Sequence, residues 1–156
     1  IPFLGTHFFW RMYFIERANC HSPLQQLKME IEKIHHIAII CSDYELSKHF
    51  YTKILPFTIQ AEHYRAERQS FKLDLCLNGE YVLELFSFPS PPKRISRPEA
   101  CGGRHLALAV RDLEASITYL ESQKVACEAI RQDEYTGKRF TFLEDPDGFP
   151  IELYEI

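Results

Sequence analysis

The amino-acid sequence predicts an α+β fold in which two βαβββ modules with curled mixed sheets make up one domain. Three observations carry that prediction. HIAIICSDYELSKHFY, starting at His36, aligns with HLALAVRDLEASITYL, starting at His105, 69 positions later. Within the alignment Ala38, Asp43, Glu45 and Ser47 meet Ala107, Asp112, Glu114 and Ser116. Each copy also ends in a matching pair of strand-forming runs, and a Pro- and Gly-rich segment ending at Gly103 separates the copies.

The elements follow in order. Residues 1–28 are expected to be an N-terminal extension outside the core fold, with Met29 a plausible natural start. Their aromatic beginning is interrupted by Arg11, Glu16 and Arg17 and reads poorly as a signal peptide. The domain is expected over 29–156, with module one at 33–88, a linker at 89–103 and module two at 104–156. The first strand of each module alternates, so His36, Ala38 and Ile40 share one face and Ile37, Ile39 and Cys41 the other. Asp43 and Asp112 then precede helix-period segments at 44–54 and 113–123. LCLNGEYVLELF (75–86) is two strand-forming runs around Asn78-Gly79, a strong hairpin signal. RFTFLEDPDGFPIELY (139–154) repeats that plan around Asp145-Pro146-Asp147-Gly148.

Composition narrows the function classes. With 156 residues, 46% apolar and 26% charged, the chain reads as one globular domain. Its net charge of −4 is no footprint for nucleic acid. Five scattered cysteines without a CxxC pair exclude a disulfide scaffold or zinc knuckle and fit a reducing, cytoplasmic setting. No apolar run reaches the roughly 20 residues that span a bilayer, so no membrane partner is expected.

Chemistry concentrates in four residues. Glu84 lies 48 positions after His36, and Glu152 lies 47 after His105. Parity places Glu84 with Val82 and Phe86, and Glu152 with Pro150 and Tyr154, opposite the core-packed Leu83, Leu85, Ile151 and Leu153. A Glu inside an apolar strand is costly unless it is paired or bound to a cation. Two imidazoles and two carboxylates in a duplicated pattern suit a divalent first-row metal; the alternative gives each residue a private salt bridge. Of the adjacent histidines, His36 has His105 as its repeat mate, whereas His35 matches Arg104 and is expected on the Ile37 side.

HHIAI, YVLEL, RHLAL and PIELY, set in paired βαβββ modules, resemble the vicinal oxygen chelate superfamily over about residues 30–156. The likeness is nearest to the glyoxalase I (lactoylglutathione lyase) branch and its small bacterial glyoxalase-like relatives. It implies a metal-dependent lyase or isomerase acting on a small molecule with vicinal oxygens. His36, Glu84, His105 and Glu152 would hold one divalent ion, Zn, Ni, Co or Mn, with Glu152 as the base and Glu84 its partner. It further implies a homodimer whose sites lie between subunits, His36 and Glu84 of one meeting His105 and Glu152 of the other. Glyoxalase I typically has an Arg four residues after the first ligand and an Asn four after the second, both holding glutathione. Here those positions are Ile40 and Phe88, so a less polar substrate is expected. Dioxygenases and metal-free resistance-type binding proteins of the superfamily are the alternatives; a fourth ligand at Glu84 argues against both.

The remaining candidates are read as structural. Lys93, Arg94 and Arg97 are expected to form a solvated basic loop, and Glu155 to be solvated. Lys138 and Arg139 enter a strand near the proposed cup, while His7, His21, His49 and His63 lack repeat partners. Gly102-Gly103 precedes a strand rather than a helix and is no phosphate loop.

Overall fold

The computed structural model describes residues 29–156; the extension expected at 1–28 lies outside the described residues. Within the compact unit Lys33–Ile156 stand the two four-stranded mixed sheets that the repeat predicts. Module one contains β1 (Ile37–Cys41), α1 (Tyr44–His49), β2 (Thr58–Arg65), β3 (Ser70–Leu77) and β4 (Glu80–Ser87), with strand order β1-β4-β3-β2. Module two contains β5 (Leu106–Val110), α2 (Leu113–Ser122), β6 (Arg131–Gln132), β7 (Arg139–Glu144) and β8 (Pro150–Glu155), with order β5-β8-β7-β6. In each, the first strand runs parallel to the last and the other pairings are antiparallel.

The repeated residues have local jobs. Asp43 and Asp112 are helix N-caps, accepting from the backbone N–H of Leu46 at 3.0 Å and of Ala115 at 2.9 Å. Asn78 and Gly79 both take positive φ, 52° and 85°, as a tight hairpin turn requires. Two expectations need adjusting. The helix expected over 44–54 loosens after His49 into a π-helical turn, Phe50–Ile54. The second strand of module two has only 2 residues against 8 in β2, because EAIRQDEYTGK offers no alternating apolar face.

The core takes the parity opposite to the glutamates. Leu73, Leu75, Leu83 and Leu85 are buried from module one, and Leu113, Leu143, Ile151 and Leu153 from module two. Each contributes roughly 1.5–3 kcal/mol by burial. A polar tie joins the modules. Tyr51, fully buried, donates its hydroxyl to Asp145 Oδ2 at 2.9 Å, while Asp145 Oδ1 accepts from the N–H of Asp147 and Phe149. Burial pushes the Asp145 carboxyl above its ordinary range, the backbone and Tyr51 donors working against it. No helix among the described residues is long and apolar enough to cross a membrane.

Candidate metal centre

Strand register brings each His to its Glu. Ala38 is the Cα partner of Glu84 across β1 and β4, and Ala107 is that of Glu152 across β5 and β8. His36 and His105 each lie two residues before that alanine, and its small side chain leaves the glutamate room to reach the ring. His36 Nε2 stands 3.3 Å from Glu84 Oε2, and His105 Nε2 stands 3.2 Å from Glu152 Oε2. The duplicated sequence pattern is thus a duplicated geometry.

The surroundings of the pairs differ. In module one, β3 faces Glu84 with Lys72 and Asp74: Lys72 Nζ lies 2.6 Å from Glu84 Oε1 and also pairs with Asp74. The Tyr81 hydroxyl donates to Glu84 as well, and to Asp74 Oδ1 at 3.3 Å. Burial drives the Glu84 carboxyl upward, but Lys72 and Tyr81 outweigh it and hold the group below the usual range. In module two the corresponding strand brings Phe142, which meets the His105 ring edge-on at 5.3 Å. Among the described residues, Glu152 has His105 as its one ion-pair partner. Lys72, Asp74 and Tyr81 were not anticipated from the sequence. The available signal was KLDL, where Lys72 and Asp74 alternate onto one face of a strand otherwise rich in leucine.

Each pair fits half of a metal's donor set. Donors at about 2.1 Å from an ion stand about 3.0 Å apart at a right angle and about 3.4 Å apart at the tetrahedral angle, and the observed N···O separations fall between. His105 Nδ1 is buried and lacks a hydrogen-bond partner among the described residues. With the ring proton on Nδ1, the Nε2 lone pair would be available to an ion placed between it and Glu152. Without an ion, the 3.2 Å contact calls for an Nε2–H donated to the carboxylate. His36 Nδ1 instead contacts His35 Nδ1 at 2.8 Å. Were an ion to take the place of the Nε2 proton, His36 could donate Nδ1–H to His35 and keep its Nε2 lone pair for the ion. Within one chain the pairs remain separate: no three His, Cys, Asp or Glu side chains among the described residues gather into a metal-holding group.

Several other expectations change. His35 does not turn to the Ile37 side: its Nδ1 lies 2.8 Å from His36 Nδ1 and its ring packs edge-on to His36 and Tyr81 at 5.1 Å each. Glu155 faces away from Glu152 as expected but is paired, accepting from Arg139, which also reaches Glu114. Arg94 is anchored rather than free, donating to the carbonyls of Gly103 and Arg104 with its guanidinium 4.8 Å from the Phe149 ring. Phe88 stacks toward Phe86 beneath the Arg65 guanidinium, and Ile40 is exposed, so both positions are apolar in space as in sequence.

Comparison with known proteins agrees with this architecture. The family model of the Glyoxalase/Bleomycin resistance protein/Dioxygenase superfamily matches residues 33–153. The Uncharacterized protein YaeR of Escherichia coli is 62% identical over 125 residues, covering 80% of this chain and 97% of that protein. A solved glyoxalase family protein from Enterococcus faecalis shares 44% identity with a TM-score of 0.76, covering 81% of this chain and 100% of that one. A 2-epi-5-epi-valiolone epimerase from Actinomyces sp. is 27% identical over 145 residues, 79% of each chain. With its paired βαβββ sheets, its two register-matched His–Glu pairs and a family match spanning both modules, the chain belongs to the Glyoxalase/Bleomycin resistance protein/Dioxygenase superfamily.

Proposed function

We propose that this protein is a metal-dependent lyase or isomerase of the glyoxalase I type, moving a proton on a small substrate that carries vicinal oxygens. The supporting observation is the duplicated His–Glu pair, set at the same register in both sheets with N···O separations of 3.3 and 3.2 Å. His36, Glu84, His105 and Glu152 would hold one divalent ion, Zn, Ni, Co or Mn. Because the two pairs stay apart within one chain, the reading pairs His36 and Glu84 of one copy with His105 and Glu152 of a second, making a homodimer with two sites. When bound, the ion supplies Lewis-acid polarisation of the substrate's oxygens.

The chain's own groups divide the remaining work. Glu84 is held by Lys72 and Tyr81 and keeps its charge, so it serves as the fixed carboxylate. Glu152 has His105 as its one ion-pair partner among the described residues, so a carboxylate oxygen is left to meet the substrate, and it takes the role of base. Phe142 packs edge-on against the His105 ring and puts an apolar surface beside that side of the centre. Ile40 and Phe88 offer no polar hold on glutathione, so a substrate other than a glutathione adduct is favoured. The epimerase relative is named for an isomerase reaction, the same class as the one proposed here.

The test is metal content of the purified protein, followed by a lactoylglutathione assay with methylglyoxal and glutathione. A stoichiometric divalent metal that disappears in His36→Ala and His105→Ala supports the centre. A protein that binds no divalent metal, or a Glu152→Gln variant with undiminished turnover, refutes the proposal.

A further inference from the structure

We propose, building on the metal-centre reading above, that the cavity beside His105 is an oxyanion subsite, with Arg131 and Arg97 anchoring the carboxylate or phosphate group of an acidic substrate. The cavity measures about 400 Å³, and its wall includes His105 and Phe142 together with Arg94, Arg97, Arg104 and Arg131. Four guanidinium groups around one opening run against the chain's net charge of −4. Three acids also line it, Glu99, Glu128 and Glu144. Two of them are matched: Glu99 pairs with Arg104 at 3.4 Å and Glu128 with Arg131 at 2.8 Å. Glu144 makes no ion pair among the described residues, and four arginines against three glutamates (4 − 3) leave the wall one positive charge in surplus.

The arginines have different duties. Arg94 is used up structurally, its donors on the Gly103 and Arg104 carbonyls, which pins the linker at the start of β5. Arg131 is preorganised. Its guanidinium lies 5.0 Å and 5.1 Å from the Phe140 and Phe142 ring centroids, and Phe142 in turn packs against His105. Only one Nη of its fork is engaged, by Glu128, which leaves further N–H donors for a planar or tetrahedral oxyanion. Arg97 is exposed and makes no hydrogen bond or ion pair among the described residues. Because Phe142 touches both Arg131 and His105, an anion held by Arg131 would sit one ring away from the Glu152 side of the centre. The substrate class is therefore a small acid whose vicinal oxygens lie close to its charged group, charged at the Arg131 end where Ile40 and Phe88 alone point to a less polar molecule.

The experiment titrates metal-free, full-length protein with inorganic phosphate and, separately, with acetate, by calorimetry at low ionic strength. Saturable binding of either probe is expected, the tighter one naming phosphate ester or carboxylic acid as the substrate's anion. Arg131→Gln and Arg97→Gln should each weaken it by roughly tenfold, as expected for loss of one charge-assisted hydrogen bond. Lys93→Gln, in the same linker but outside the cavity wall, should leave it unchanged. Arg97 is exposed, so its variant stays informative even where Arg131→Gln folds poorly. A parallel Zn titration in phosphate-free buffer keeps the two ideas separate. Zn binding lost in His105→Ala but retained in Arg131→Gln, with anion binding as above, supports the subsite. Zn binding intact with neither probe bound, or with Lys93→Gln weakening the anion as much as Arg131→Gln, overturns the subsite alone; absence of Zn binding overturns the metal centre.

Discussion

Lys72→Met should tighten metal binding while weakening the metal-free fold. Glu84 is only 7% exposed, and its Oε1 is held by the Lys72 ammonium at 2.6 Å. That ammonium is a resident cation which an incoming divalent ion must displace or share. A hydrogen bond to a charged group contributes about 1.5–3 kcal/mol. If binding forfeits that amount in the native chain, removing the bond in advance strengthens the metal by roughly 10- to 100-fold, at about 1.4 kcal/mol per decade. The metal-free protein loses the same bond, and Asp74 and Glu84 then face each other across β3 and β4 without a cation. Tyr81 and His36 still reach Glu84, so the cost stays near the lower end of that range, about 1.5–2 kcal/mol. Calorimetric titration with Zn or Ni gives the first quantity, and urea unfolding with and without metal gives the second. A folded Lys72→Met protein whose metal affinity falls would refute the reasoning, because it would make Lys72 a support of the site rather than a competitor.

Other outcomes follow from the same contacts. His35→Ala should weaken metal binding about 10- to 100-fold, as loss of a ligand's outer partner commonly does, whereas His36→Ala abolishes it; equal metal affinity in His35→Ala would show that the Nδ1 contact does not orient the ligand. Tyr51→Phe should cost about 1.5–3 kcal/mol in urea unfolding, because it removes a donor from the buried Asp145 carboxylate; a change below about 0.5 kcal/mol would refute the inter-module tie. Glu62 is held below its ordinary value of 4.5 by the Lys48 and Tyr44 hydrogen bonds. Its stabilising contribution is therefore fully present above that value and is lost as pH falls through the lower folded-state pKa. Glu62→Gln should flatten the acid side of the stability profile, and an unchanged profile in urea midpoints against pH would count against the Lys48–Glu62 pair.

Both modules and the two His–Glu pairings were legible in the sequence because duplication supplies its own control. A lone strand His means little, but His36 and His105 each followed by a Glu at nearly the same spacing constrain register, and the Ala38–Glu84 and Ala107–Glu152 pairings bear that out. Caps at Asp43 and Asp112 were legible for the same reason. What lacked a repeat mate was harder to read. Lys72 and Asp74 correspond in space to Phe140 and Phe142, so no second copy drew attention to them. Strand alternation also misled at His35, whose Nδ1 meets that of His36 instead. Arg94 looked like part of a solvated loop because the ring it packs on, Phe149, lies 55 residues further along the chain (149 − 94).

The unlike flanks of the two His–Glu pairs bear on stereochemistry. A molecule bridging both pairs would have an ammonium, a phenol and two carboxylates on one side, and phenylalanine rings with a guanidinium on the other. The two faces of a flattened carbon centre would then be chemically different from the moment of entry. Unlike flanks add to the chirality that any protein site already has, because they give the two faces neighbours of different charge as well as of different shape. If the proposed proton transfer takes place between the pairs, the divergence of Lys72 and Asp74 from Phe140 and Phe142 would favour one hand of the product.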